Sequence, residues 1–135
     1  MNDWLARFLV GVALLPSIDF FWIYYNKKYG IYKDKFDKKP LNIIIPAWII
    51  FIVVMSGFLS SFIHQNNQDA FLFGASVGLV SYISFNMTNL AIFKKWDVQA
   101  ATFDTLWGCL LAGTVSLIMH NVASEETDHT RVDLF

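Results

Sequence analysis

The chain is short of charge. Only 16% of its 135 residues are Asp, Glu, Lys or Arg, where a soluble domain carries roughly 25%. It has one cysteine, Cys109, so no intrachain disulfide can form and cysteine usage does not report a redox compartment. Cys109 lies in an apolar run and reads as a small buried hydrophobe. A basic excess is missing too. The net charge of −1 leaves no overall field for nucleic acid. Nucleophile-and-base pairs are also lacking: Cys109 has no histidine at its depth, and His64, His120 and His129 lie away from the apolar interiors. An enzyme is therefore not expected, and the length allows one domain.

What the chain has is apolar surface. Hydrophobic residues make up 56%, including 13 Phe, five Trp and five Tyr, a load suited to lipid-facing and interfacial positions. A bilayer core needs roughly 20 consecutive apolar residues. Four stretches meet this, at about 4–25, 41–63, 70–93 and 98–121. The first contains Pro16 and Asp19 and has no small-residue cleavage pattern, so it reads as a retained anchor and not a signal peptide. The expected fold is an all-α integral membrane four-helix bundle over residues 1–122, followed by an acidic extramembrane tail at 123–135. Short polar separators make neighbouring helices antiparallel.

Lysines set the expected orientation. Lys27, Lys28, Lys33, Lys35, Lys38 and Lys39 lie in or beside the 26–40 loop, and Lys94 and Lys95 lie in the 94–97 loop; these are eight of the ten basic residues. Both loops are expected on the cytoplasmic side, or its organellar equivalent, with both termini opposite. Which membrane this is cannot be read from the residues.

Within the apolar stretches sit residues that do not belong there. Asp19-x-x-Trp22 and Asp104-x-x-Trp107 repeat one pattern, and Asn86-x-Thr88-Asn89 adds amides and a hydroxyl. A carboxylate at membrane depth costs several kcal/mol unless protonated, paired or wetted, so it marks a function or a specific helix contact. Counted from the lysine-rich end, Asp19, Asn86 and Asp104 fall at similar depth. Tyr82 joins them, because residues four apart share a helix face. The stripes Gly74, Gly78, Tyr82, Asn86 and Asp104, Gly108, Ala112, Ser116, His120 carry the small-xxx-small spacing of close helix packing. Trp22 and Trp107 share faces with the aspartates of their own motifs and are placed to pack over those carboxyls. Trp4, Trp48 and Trp96 fall near span ends and read as interfacial anchors.

No Lys, Arg or His lies at the level of Asp19 and Asp104. Three ways of balancing them stay open. The acids are protonated, or they hold a cation with Tyr82, Asn86 and Asn89, or Lys94 or Lys95 snorkels inward. An all-oxygen ligand set suits a hard ion and serves zinc or copper poorly. No metal is assigned, and no cofactor can be named.

The block Gly78-Leu79-Val80-x-Tyr82-x-x-Phe85-Asn86-x-Thr88-Asn89-Leu90-Ala91, then Lys95-Trp96 and Asp104-x-x-Trp107-Gly108, resembles a family of small membrane proteins known as domain of unknown function 2177. Asp19-x-x-Trp22 is similar to that family's opening helix, and the likeness extends to about Val122. It implies a four-helix membrane fold and supplies no activity, substrate or cofactor. It also implies an aspartate where this chain has Asn86, which weakens a proton-relay or cation-binding role here. The sequence thus favours a non-catalytic subunit packed with other membrane subunits or with copies of itself. A small-solute, cation or proton transporter or channel using the Asp/Asn layer is the alternative.

Overall fold

The computed structural model describes residues 2–35 and 40–132, with side chains described to Ala123. Four helices follow one another: α1 Asp3–Tyr29, α2 Leu41–Ser60, α3 Asn67–Ile92 and α4 Val98–Val132. All four are long and apolar enough to cross a membrane. This is an integral, multi-pass membrane fold. Its shortest helix, α2, has 20 residues and spans about 30 Å, the thickness of a hydrocarbon core.

Local chemistry sets where the helices start. Asn2 accepts from the Trp4 N–H at 2.9 Å, and Asn66 accepts from the Asp69 N–H at 2.9 Å. Asp97 does the same for Ala100 at 2.8 Å, so three helix starts carry side-chain caps. Pro40 opens α2, where a missing N–H does no harm. Pro16 and Pro46 lie inside continuous helices, as membrane helices tolerate. The backbone of α4 stays helical past the apolar span, through the acidic stretch to Val132.

The core is organised around α4. It packs along α3 on one side and α1 on another, and α2 lies chiefly against α1. The α3–α4 approach depends on missing side chains. A methyl group on Gly74 would collide with the Ala112 carbonyl, and one on Gly78 with the Gly108 carbonyl. Gly108 in turn faces the ring of Tyr82. The predicted stripes are thus in van der Waals contact along one seam. On the far side, α2 and the turn after it meet α3 through rings: Phe58 and Phe62 against Phe73, and Phe51 against Tyr82.

Two buried clusters divide the bundle. Leu15, Met55, Leu59, Leu111, Val115 and Met119 fill the half away from the lysine-bearing loops. Tyr32, Trp96, Ala100 and Ala101 fill the other end, flanked by Trp22, Ile23 and Leu90. The polar layer lies between them. The first half of α2 does not close over it: Leu41 to Ala47 are all exposed, and burial begins at Ile52.

Candidate functional site

Helices α1 and α4 run antiparallel, so their two Asp-x-x-Trp motifs meet head to tail. Three residues along a helix are about 4.5 Å, which puts Trp107 level with Asp19 and Trp22 level with Asp104. The indoles then do not serve the aspartates of their own motifs. Trp107 Nε1 donates to Asp19 Oδ1 at 2.9 Å across the α1–α4 contact. Trp22 Nε1 donates to the Tyr32 hydroxyl at 2.9 Å, and that hydroxyl donates to Asp104 Oδ1. The rings of Trp22 and Trp107 stack between the two acids, 4.4 Å apart and 3° from parallel. The expected pairing of each tryptophan with its own motif's acid is corrected here. An i,i+3 neighbour shares a face, but the facing helix offers its indole at the right height.

Asp104 is further held by α3. Asn86 Nδ2 donates to Asp104 Oδ2 at 2.7 Å, to the Tyr82 carbonyl at 2.9 Å and to Thr105 Oγ1 at 3.2 Å. Thr105 passes its own proton to the Ala101 carbonyl at 2.8 Å. Trp96 Nε1 donates to Asn86 Oδ1 at 3.2 Å, which fixes which end of the amide faces the acid. Asn86 is fully buried with both ends used. An aspartate in its place would set a second carboxyl against Asp104 with no amide proton to join them, and the pair would share a proton. Asparagine removes that need.

The layer therefore gathers Asp19, Trp22, Tyr82, Asn86, Asp104 and Trp107. Asn89 is buried at its lysine-loop edge. Thr88 is not part of it: its side chain is exposed, and its hydroxyl bonds the Ser84 carbonyl at 2.8 Å. Two residues beyond Asn86 on a helix, Thr88 points nearly the opposite way. Lys94 and Lys95 are exposed, and neither makes an ion pair among the described residues.

Three members escaped the sequence reading. Trp96 is 5% exposed, a wall of the site and not an interfacial anchor. Thr105 follows Asp104 and reads as an ordinary helix residue. Tyr32 belongs to the first loop. Asn26 folds that loop back: its carbonyl accepts from the Gly30 and Tyr32 N–H groups at 3.1 Å each. Asp34 takes a left-handed conformation at φ 61°, which a short polar side chain tolerates. Tyr32 then stacks on Trp96, with ring centroids 5.8 Å apart. The Lys35 ammonium pairs with Asp97 outside the layer, tying the first loop to the third. That hydrogen bond, then the bond from the Ala100 N–H, holds Asp97 below the usual carboxylate range. The one signal for Tyr32 is an aromatic hydroxyl close to the membrane end of the first loop.

The two acids differ in what they receive. Asp104 takes donors on both oxygens. Asp19 takes a single hydrogen bond, from Trp107, with the Trp48 indole close by. Among the described residues, no set of three or more His, Cys, Asp or Glu converges as a metal site would.

Residues 4–120 match the family model described as predicted membrane protein (DUF2177). The chain belongs to that family. The match spans all four helices and every residue of the polar layer, so the layer lies inside the family's own domain. No curated protein and no solved structure matches the chain.

Proposed function

We propose that this family member is a non-catalytic membrane subunit whose polar layer locks the bundle. One observation carries this reading: the layer is filled by its own side chains. Both oxygens of Asp104 and both ends of Asn86 are engaged by Tyr32, Trp96, Thr105 and each other. Neutral donors surround the acids where a carrier would leave space for cargo. The exposed first turns of α2, Leu41 to Ala47, give such a subunit an apolar face for a helix of a neighbouring subunit. In this reading the lysine-bearing end faces the cytoplasm or its organellar equivalent, with both termini opposite; a C-terminal tag found in the cytoplasm overturns that orientation.

The test is gentle extraction from the native membrane, native gel migration, and mass spectrometry of the band. Migration within a large assembly of defined composition supports the subunit reading. Migration as a monomer or small homo-oligomer sinks it.

A second reading, transport, is favoured by Asp19 alone. Its carboxyl takes one hydrogen bond, from Trp107, with Trp48 of α2 as its other close polar neighbour. In proteoliposomes, that reading requires cation or proton flux that Asp19→Asn abolishes; flux equal to empty vesicles removes it.

A further inference from the structure

The end of the bundle away from Tyr32 holds a second polar grouping that the layer does not use. Arg7 lies in the second turn of α1 and is only 8% exposed. Its Nε–H donates to the Ser60 carbonyl at 3.1 Å, tying α1 to the last turn of α2. A guanidinium has five N–H donors, and this is the one hydrogen bond Arg7 makes among the described residues. No carboxylate of those residues is within ion-pair distance of it.

Arg7 lines a cleft of about 130 Å³ together with His64 and His120. That is roughly four times the ~30 Å³ share of one water, enough for a tetrahedral oxyanion. His64 Nε2 is buried there with no hydrogen-bond partner among the described residues. The rings of His64 and His120 meet edge to face at 6.4 Å. Arg7 and His64 point to the same ligand charge. A buried guanidinium using one donor is costly, and its planar fork matches the oxygens of a phosphate or carboxylate. A cation is disfavoured, because Arg7 already repels positive charge from the cleft. Asp3 lies at the exposed mouth, where water screens its opposition to an anion.

The surroundings suit a membrane interface. Trp4 stacks on Phe8 at 5.2 Å and is exposed, and Phe62 and Ile63 on the cleft wall are exposed as well. Arg7 follows the start of α1 by four residues, about 6 Å along the axis. The guanidinium therefore sits near the level of lipid headgroups.

We propose that this cleft is an oxyanion site for a phosphate group, carried by a lipid headgroup or free in solution, with Arg7 as its principal ligand and His64 as the second. The site is independent of the subunit reading, since it shares no residue with the polar layer. It has a pH signature. Burial, then His120 and Arg7, hold the His64 pKa below its usual value, while Asp69 at the start of α3 pulls the other way. Asp3 from α1 is the remaining charged group lining the cleft among the described residues. An anion beside His64 favours its protonated form, so binding takes up a proton and tightens as pH falls.

The experiment uses the full chain in a maltoside detergent, which has no phosphate. Thermal unfolding is titrated with inorganic phosphate and with dihexanoyl phosphatidylglycerol, against chloride at matched ionic strength, at two pH values. Stabilisation by either probe is expected, stronger at the lower pH. Lipid alone acting assigns a headgroup site; free phosphate acting, with or without lipid, assigns a site open to the soluble anion. Arg7→Gln, which retains a donor for Ser60, should weaken binding about tenfold or more. His64 lies outside the helices, so His64→Gln keeps the fold; it should flatten the pH dependence. No stabilisation beyond chloride overturns the proposal. So does wild-type affinity in Arg7→Gln, or, if that variant does not fold, an unchanged pH dependence in His64→Gln.

Discussion

The two Asp-x-x-Trp motifs are the same four-residue pattern on two antiparallel helices, yet their acids live differently. Asp104 is gripped from three directions: by α3 through Asn86, by the first loop through Tyr32, and by α1 through Trp22 behind that tyrosine. Asp19 has the Trp107 hydrogen bond, with the Trp48 indole nearby. The difference comes from neighbours and not from the motif. The glycine seam brings α3 close enough to α4 for Asn86 to reach Asp104, while α2 brings only the half-buried Trp48 near Asp19 and leaves Leu41 to Ala47 exposed. A buried carboxylate becomes a structural lock when packing brings several donors to it.

The largest expected effect comes from breaking the seam. Gly78→Leu would drive a side chain into the Gly108 backbone and force α3 away from α4. Overpacking of this kind costs about 1–3 kcal/mol or more, to which the loss of the Asn86–Asp104 bond adds. Unfolding in detergent should show the loss, while the stacked Trp22–Trp107 pair, held between α1 and α4, should keep its fluorescence signature. A variant that loses that signature but keeps its stability contradicts this account.

Removing charge separates the two acids next. Asp104→Asn places an amide against the Asn86 amide and the Tyr32 hydroxyl, leaving at least one buried donor without an acceptor. That costs roughly 1–3 kcal/mol. Asp19→Asn keeps an oxygen for Trp107 and should cost under about 1 kcal/mol. Equal losses in the two variants would erase the asymmetry.

These contrasts also mark what the sequence could and could not convey. Helix number, span positions and the common depth of Asp19, Asn86 and Asp104 follow from hydropathy and a 1.5 Å rise, so they were legible. The Gly74, Gly78, Gly108, Ala112 seam was legible from its spacing. The crossing of the tryptophans was not, because it depends on the register between α1 and α4, a long-range property. Thr88 neighbours Asn86 and Asn89 in sequence yet faces away from the layer, because residues two apart on a helix point in nearly opposite directions. Tyr32 and Trp96 were hidden because loop residues carry no periodicity, and the turn returning Tyr32 to the layer rests on Asn26 and Asp34.

Tyr32→Phe tests the link between the motifs. It removes a hydroxyl that accepts from Trp22 and donates to Asp104, and should cost about 1–2 kcal/mol. A double-mutant cycle gives the sharper result. Tyr32→Phe and Asp104→Asn share a bond and should be non-additive, whereas Tyr32→Phe and Asp19→Asn should add. Additivity in both cycles would mean that Tyr32 merely packs on Trp96.

The smallest effect belongs to the latch outside the layer. Lys35 and Asp97 join the first and third loops, but Asp97 is half exposed, with 52% of its side chain accessible, so solvent limits the pair to under about 0.5 kcal/mol. Its pH dependence has a fixed sign. Asp97 is held below its ordinary value in the folded protein, so the contribution is complete above the ordinary carboxylate pKa and disappears as pH falls through the depressed one. Lys35→Gln should therefore lower stability slightly at neutral pH and not at all in strong acid. Hydrogen exchange is the better probe, since the pair restrains the loop that carries Tyr32. Faster exchange at the Tyr32 and Lys33 amides in Lys35→Gln would make the latch the keeper of the Asp104 lock. Unchanged exchange there would leave that task to the Asn26 turn and the Tyr32–Trp96 stack alone.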